Sequence, residues 1–351
     1  MPIHDVGYRS WEGKRTSQFS RWWIISATGI RLAAKSWWVR RILFVAWLPV
    51  MYWGIGFFFI EKAIETESKP FTSKNIGIGE LESVELARDL SRQRIQHSLA
   101  NKFSMFPHAE QLSAAFETND TSRIRSNVWR WLLMVFFRYP QSILILFLIG
   151  TVAPALISRD LRSRAFLLYF SRPIGKFEYI FGKLCIPSVF IVAVTTLPAL
   201  ALYVFAVMMS PDLSVFWDTW DIPLRIIVAT FALVIPTASV ALMLSSLTQE
   251  SRFANFSWFA VWALGHGAWI TIVFATAMRM NKPPFNRVVL ENEMVQAWST
   301  LSLYNCLGEV QSLIFGFEAV EDVWRGILAL TAITLVSLVI LYRRVSAPVR
   351  I

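Results

Sequence analysis

Six stretches of this chain are apolar, free of charge and long enough, or nearly so, to cross a bilayer; no other feature restricts the fold as much. A hydrocarbon core about 30 Å thick takes roughly 20 residues of α-helix. The stretches cover residues 42–60, 142–157, 184–209, 226–247, 256–277 and 326–342, and the aromatic segment 129–137 is an alternative earlier beginning for the second. The composition, 55% hydrophobic with 16 Trp and 27 Phe, exceeds what a soluble domain usually carries. Lipid offers backbone groups no partners, and the strand-like alternation of a barrel is absent, so the spans are expected as helices. The expected fold class is an all-α integral membrane protein with six transmembrane helices.

Orientation follows from Lys and Arg in short flanks, which stay on the cytoplasmic side during insertion. The first 41 residues carry eight, residues 159–183 carry six, and the tail carries Arg343, Arg344 and Arg350. Residues 210–223 carry none, only Asp212, Asp218 and Asp221. Both termini are therefore expected in the cytoplasm, with much of the formal charge of +10 on the inner face. Topology and anionic lipid account for that charge, and no nucleic-acid partner is needed. The first apolar run starts at residue 42 and is too long for a cleavable signal, so it is expected to be retained. Cys185 and Cys306 are too distant in this topology to suggest a disulfide.

Residues 21–41 place Trp23, Ala27, Ile30, Ala34 and Trp37 on one helical face, with Thr28, Arg31 and Lys35 along the flank. That pattern suits a helix lying in the inner interface, either as an anchor alone or as an elbow that also touches a partner. Residues 61–141 form an outer insertion too polar to cross the bilayer. In it, residues 78–102 favour a helix with Leu81, Val84, Ala87, Ile95 and Leu99 on one face. Its His97 and His108 lack neighbouring ligands and are expected at the surface rather than on a metal. Residues 278–325 form a second outer loop, read equally as surface-packed or as short re-entrant helices. Prolines 49, 154, 187, 198 and 236 fall in spans and are expected to kink them.

No Asp, Glu, Lys or Arg lies inside the six stretches, which disfavours a proton-driven carrier. His266, between two glycines, is expected to be a hydrogen-bonded packing residue. The chain has no GxSxG, no HExxH and no GxxxxGK[ST], so neither hydrolysis nor ATP binding by this chain is expected. No cofactor or metal site is expected in it.

Between the second and third stretches runs a basic segment, residues 159–183, that the topology places on the inner face. Asp160 to Phe170 reads as a short helix with Leu161, Ala165, Leu168 and Tyr169 on one side, stopped near Ser171, Arg172 and Pro173. The following order, SRPIGKFEYIFGKL over residues 171–184, resembles the type-2 superfamily of ABC exporter permeases. Members carry an acidic residue and a short helix, then (S/T)-x-P-(I/V)-(S/G)-(R/K)-x-E-(Y/F)-hydrophobic-x-G-K-hydrophobic. Asp160 stands where many relatives have Glu. The six spans and the large first outer loop are similar to permeases of copper-enzyme maturation and gliding motility.

The resemblance implies a permease subunit of the bacterial inner membrane, forming a homodimer, that pairs with separate ABC ATPase subunits carrying ATP and Mg. It makes Asp160, Leu161, Arg162, Arg164, Phe166, Tyr169 and Phe170 the ATPase-coupling element. Ser171, Arg172, Pro173, Glu178, Gly182 and Lys183 become the turn that re-enters the membrane. The alternative is a non-transporting membrane anchor or assembly factor that holds an extracytoplasmic partner through the outer insertion. An intramembrane enzyme or ion-coupled carrier is the third reading.

Overall fold

The computed structural model describes residues 21–68, 108, 121–165, 174–210 and 212–346. Among these the regular structure is helical, without strands, and six helices are long and apolar enough to cross a membrane. They are Trp37–Phe59, Ser122–Arg162, Lys176–Met209, Asp221–Leu247, Ser251–Met280 and Val320–Ser346. The second, fifth and sixth spans extend past their uncharged stretches at both ends, and the first, third and fourth do so at their beginnings. Flanking Trp, Lys and Arg side chains can bury their apolar stems and keep polar tips wet, so the helix has no reason to stop where the apolar run does. The second span gains most: its helix starts about 20 residues before residue 142, inside the segment 61–141 that the sequence assigned to an insertion. The expected helix at residues 78–102, and His97 with it, lie outside the described residues.

The helices, in chain order, are α1 (Arg21–Ala34), α2 (Trp37–Val45) and α3 (Leu48–Ser68), then α4 (Thr121–Phe136), a π-turn (Phe137–Gln141), α5 (Ser142–Val152) and α6 (Pro154–Arg162). The third span comprises α7 (Lys176–Val194) and α8 (Thr196–Met209); α9 (Val215–Asp218) and α10 (Asp221–Leu247) follow. The fifth span is α11 (Ser251–Met280), followed by α12 (Arg287–Leu290), α13 (Glu293–Ser299), α14 (Leu303–Phe315) and the sixth span, α15 (Val320–Ser346).

Interruptions fall where proline withdraws a backbone donor. The first span breaks ahead of Pro49, the third at Thr195 ahead of Pro198, and the second at Pro154 and in the π-turn that holds Pro140. Pro187 and Pro236 sit inside α7 and α10 without breaking them. At Pro154 the loosened backbone is repaired from another helix. The Ser245 hydroxyl of the fourth span accepts from the Ile157 and Ser158 amides at 3.1 and 3.2 Å, and donates to the Pro154 carbonyl at 2.8 Å.

The second, third and fourth spans form the centre, with more than half of their apolar windows buried; the first, fifth and sixth are peripheral. Ile157, Tyr179, Ile180, Leu242, Leu341 and Val345 share one apolar cluster. The beginning of the third span and the end of the sixth therefore meet at one end of the bundle. There α1 packs on α7. The interfacial helix expected over residues 21–41 stops at Ala34, and Trp37 belongs to the first span. The face it packs on the third span is a different one from the apolar stripe. Ser26 is buried and donates to the Gly182 carbonyl at 2.9 Å, Gly29 abuts Ile186, and Trp22 meets Phe181 edge-on, while Trp23 is exposed.

Between the fifth and sixth spans, α14 packs against the fourth, fifth and sixth spans and the π-turn. The Ser302 side chain caps its start by accepting from the Asn305 amide, and Gly316 ends it at φ 88°, a left-handed conformation that glycine takes without penalty. Cys306 is enclosed in it with its thiol on the Thr300 carbonyl, and burial pushes that thiol up to about 12. His108 contacts the Glu318 carboxylate at 3.3 Å and stacks on Phe317. Among the described residues no group of His, Cys, Asp and Glu is arranged to hold a metal ion.

Candidate functional site

The hairpin between the second and third spans is built around one carboxylate. Asp160, in the last turn of α6, accepts from the Tyr179 hydroxyl at 2.7 Å and from the Lys183 ammonium at 2.7 Å. Tyr179 and Lys183 lie four residues apart on α7, so one face of that helix delivers both donors. Lys183 also donates to the Leu156 carbonyl at 2.7 Å, and its side chain is only 9% exposed. A buried ammonium is tolerated only when its donors are used in this way. The clamp joins the end of one span to the start of the next beside the apolar cluster of Tyr179, Ile157 and Leu341.

The other motif residues also serve the chain itself. Glu178 reaches back to the Gly175 amide at 3.1 Å and caps α7, where the helix dipole also favours its charge. Gly182 is the floor on which α1 rests: a Cβ there would lie 2.9 Å from the Trp22 carbonyl oxygen and 3.1 Å from Ile25. Asp160 and Lys183 thus tie the two ends of the hairpin, while Glu178 caps α7 and Gly182 seats α1.

The expected helix from Asp160 to Phe170 is not one element. Asp160 to Arg162 finish the second span, the chain turns at Ser163 and Arg164, and helical geometry resumes at Ala165. Arg164 has φ 52°, unusual for a residue with a side chain. Leu161 packs against the Tyr179 cluster, whereas Arg162 and Arg164 are exposed. Arg162 lies 3.4 Å from Glu250 at the turn between the fourth and fifth spans, a solvated pair worth about 1 kcal/mol at most. Phe166, Tyr169, Phe170, Ser171, Arg172 and Pro173 fall outside the described residues. Sequence reasoning left three contributors out of the site. Tyr179 stands inside the motif, while Ser26 and Ser245 are ordinary serines that carry no signal in one dimension.

At the opposite end the long second span carries arginines that the short apolar stretch had excluded. Arg125 pairs with Glu61 at 2.9 Å, both nearly buried, tying the first span to the second. Arg130 lies 3.5 Å from Asp221, which also takes Arg225 at 2.8 Å. Arg138, in the π-turn, stands over the Tyr304 ring. His266 packs as expected, stacked on Trp269 and edge-on to Tyr304, but its Nδ1 has no hydrogen-bond partner among the described residues.

The bundle and its clamped hairpin define a polytopic helical membrane protein in which two central spans are tied at one end by a buried ion pair. The family profile of the ABC-2 family transporter proteins matches residues 25–346, nearly the whole chain, and the chain belongs to that family. No curated protein and no solved structure gives a significant match. Membership makes it a membrane component of an ABC transporter, a kind of subunit that generally has no catalysis of its own and works with an ATPase partner.

Proposed function

We propose that this chain is the transmembrane permease subunit of an ABC exporter, which dimerises and is driven by separate ATPase subunits carrying ATP and Mg. One observation carries the reading: the Asp160, Tyr179 and Lys183 clamp ties the end of the second span to the beginning of the third where the hairpin leaves and rejoins them. A push that reaches the clamped ends is then delivered to the second and third spans together. Exposed Arg162 and Arg164 supply charge toward an acidic partner, and Phe166, Tyr169 and Phe170 the apolar anchors that dominate interface energies. Closing of the ATPase dimer would tilt these spans and switch the cavity between two permease chains from inward- to outward-facing. The termini and hairpin are cytoplasmic in this reading, and α14 is a re-entrant helix on the outer side.

The test is co-purification with an ATPase whose turnover depends on this chain, repeated with Phe166→Ala and Tyr169→Ala. The double variant should lose ATPase association in pull-down while staying folded. Undiminished association with undiminished transport would remove the hairpin from the coupling path.

A further inference from the structure

The sixth span has two unlike faces. Val323, Gly326, Leu330, Ser337 and Leu341 are buried against the bundle, whereas Leu328, Ala332, Leu335 and Val339, spaced four, three and four residues apart, form an exposed apolar stripe on the opposite side. One turn ahead of that stripe stand Trp324 and Arg325. From Trp324 to Tyr342 is 18 residues, about 27 Å at 1.5 Å per residue. Both rings are exposed, and the uncharged run between them is closed by Arg325 at one end and by Arg343 and Arg344 at the other. Aromatic and cationic residues at that separation mark the two surfaces of a hydrocarbon core about 30 Å thick. Leu341 lies in the cluster beside the clamp, so Trp324 and Arg325 are at head-group level on the far side.

A groove opens beside them. Helix α13 packs on the fifth span and α14 on the sixth, which leaves a cleft of about 490 Å³ between α13 and the start of the sixth span. Glu293, Ala297 and Thr300, at intervals of four and three residues, line it from one face of α13 and its cap; Trp324, Arg325 and Leu328 line it from the other side. Small-molecule sites commonly have about 300–1,000 Å³. The groove carries one charge of each sign, and the two are not joined. Neither Glu293 nor Arg325 makes an ion pair among the described residues, and the guanidinium lies over the Trp324 ring, 5.6 Å from its centroid. Glu321 and Asp322 add negative charge in the first turn of the same span.

We propose that this groove binds the head of a zwitterionic phospholipid bearing a primary ammonium, with the ammonium on Glu293, the phosphate on Arg325 and an acyl chain along the stripe. Separated charges of opposite sign call for a head that carries both. Leu328 belongs to the groove and to the stripe alike, so a chain leaving the groove passes straight onto apolar surface. An anionic head without an ammonium would leave Glu293 unmet and face Glu321 and Asp322 as well. A primary ammonium donates hydrogen bonds to a carboxylate as a lysine does, whereas the quaternary ammonium of choline has no N–H to give. The site does not rest on the exporter reading, and its test needs no transport.

The full chain, purified in detergent, is presented with phosphatidylethanolamine, phosphatidylcholine or phosphatidylglycerol and examined by native mass spectrometry. Wild type should retain phosphatidylethanolamine about threefold over each of the others, the effect of one solvated ion pair. Glu293→Gln should bring it down to the level of phosphatidylcholine, and Arg325→Gln should weaken both, since both carry the phosphate. Ala297→Phe fills the groove with the two charges intact and should also remove the preference. All three positions are exposed, so circular dichroism and melting temperature should not change. Equal retention of the three lipids by wild type, a preference for phosphatidylglycerol, or a preference that Glu293→Gln and Ala297→Phe leave intact overturns the proposal. So does a disulfide between copies of Leu328→Cys in membranes, which would give this face to a second chain.

Discussion

Replacing Lys183 by Met leaves the Asp160 carboxylate in place, with the Tyr179 hydroxyl as its remaining donor in the clamp, and removes the side-chain donor to the Leu156 carbonyl. Removing one member of a buried ion pair costs about 3–5 kcal/mol, mostly the desolvation of the partner left behind. Asp160 is 15% exposed and keeps Tyr179, which favours the lower end, about 3 kcal/mol. Tyr179→Phe removes one hydrogen bond to a charged group, about 1.5–3 kcal/mol. The double variant Asp160→Asn, Lys183→Met removes both charges together and should cost less than the sum of its single changes, with a coupling of about 2 kcal/mol. Equilibrium unfolding in mixed micelles, titrated with sodium dodecyl sulfate and followed by circular dichroism, measures all of these. If Lys183→Met costs under about 1 kcal/mol, or the single changes simply add, the clamp does not tie the two spans and the coupling argument falls.

Gly182→Ala should cost about 1–3 kcal/mol and speed proteolysis ahead of residue 35, because the new methyl meets the Trp22 carbonyl and lifts α1 off the third span; unchanged cleavage would contradict that packing. Burial raises the Glu309 carboxyl, so the stability present below the unfolded value of about 4.3 is lost as pH rises toward the folded one. Glu309→Gln, which cannot ionise, should flatten the fall in melting temperature over that window, and parallel wild-type and variant curves would refute the assignment.

The number of spans was legible because length and absence of charge suffice to count them. Their ends were not. Residues 122–141 contain Arg123, Arg125, Arg130 and Arg138, which a hydropathy argument reads as outside the membrane, whereas the helix runs through all four and pairs two with carboxylates from other spans. The hairpin was legible as an order of residues but not as an arrangement. Asp160 and Lys183 are 23 positions apart, and only the antiparallel return of the chain makes one the partner of the other. The apolar stripe of the first helix said nothing of the contact that seats it on the third span, which is made by small residues, Ser26, Gly29 and Gly182. Nothing in the pattern around Arg138 announces that Gly308, 170 residues later, provides its seat.

The serine that repairs the helix at Pro154 also limits how the molecule can move. Ser245 is the shared partner of two amides and one carbonyl on the second span. Sliding the second and fourth spans past each other by a turn would strand those groups where lipid cannot replace the hydroxyl, at several kcal/mol for each. The two spans are thus spliced into one body near the hairpin. Any rearrangement must find its freedom at the joints to the peripheral first, fifth and sixth spans.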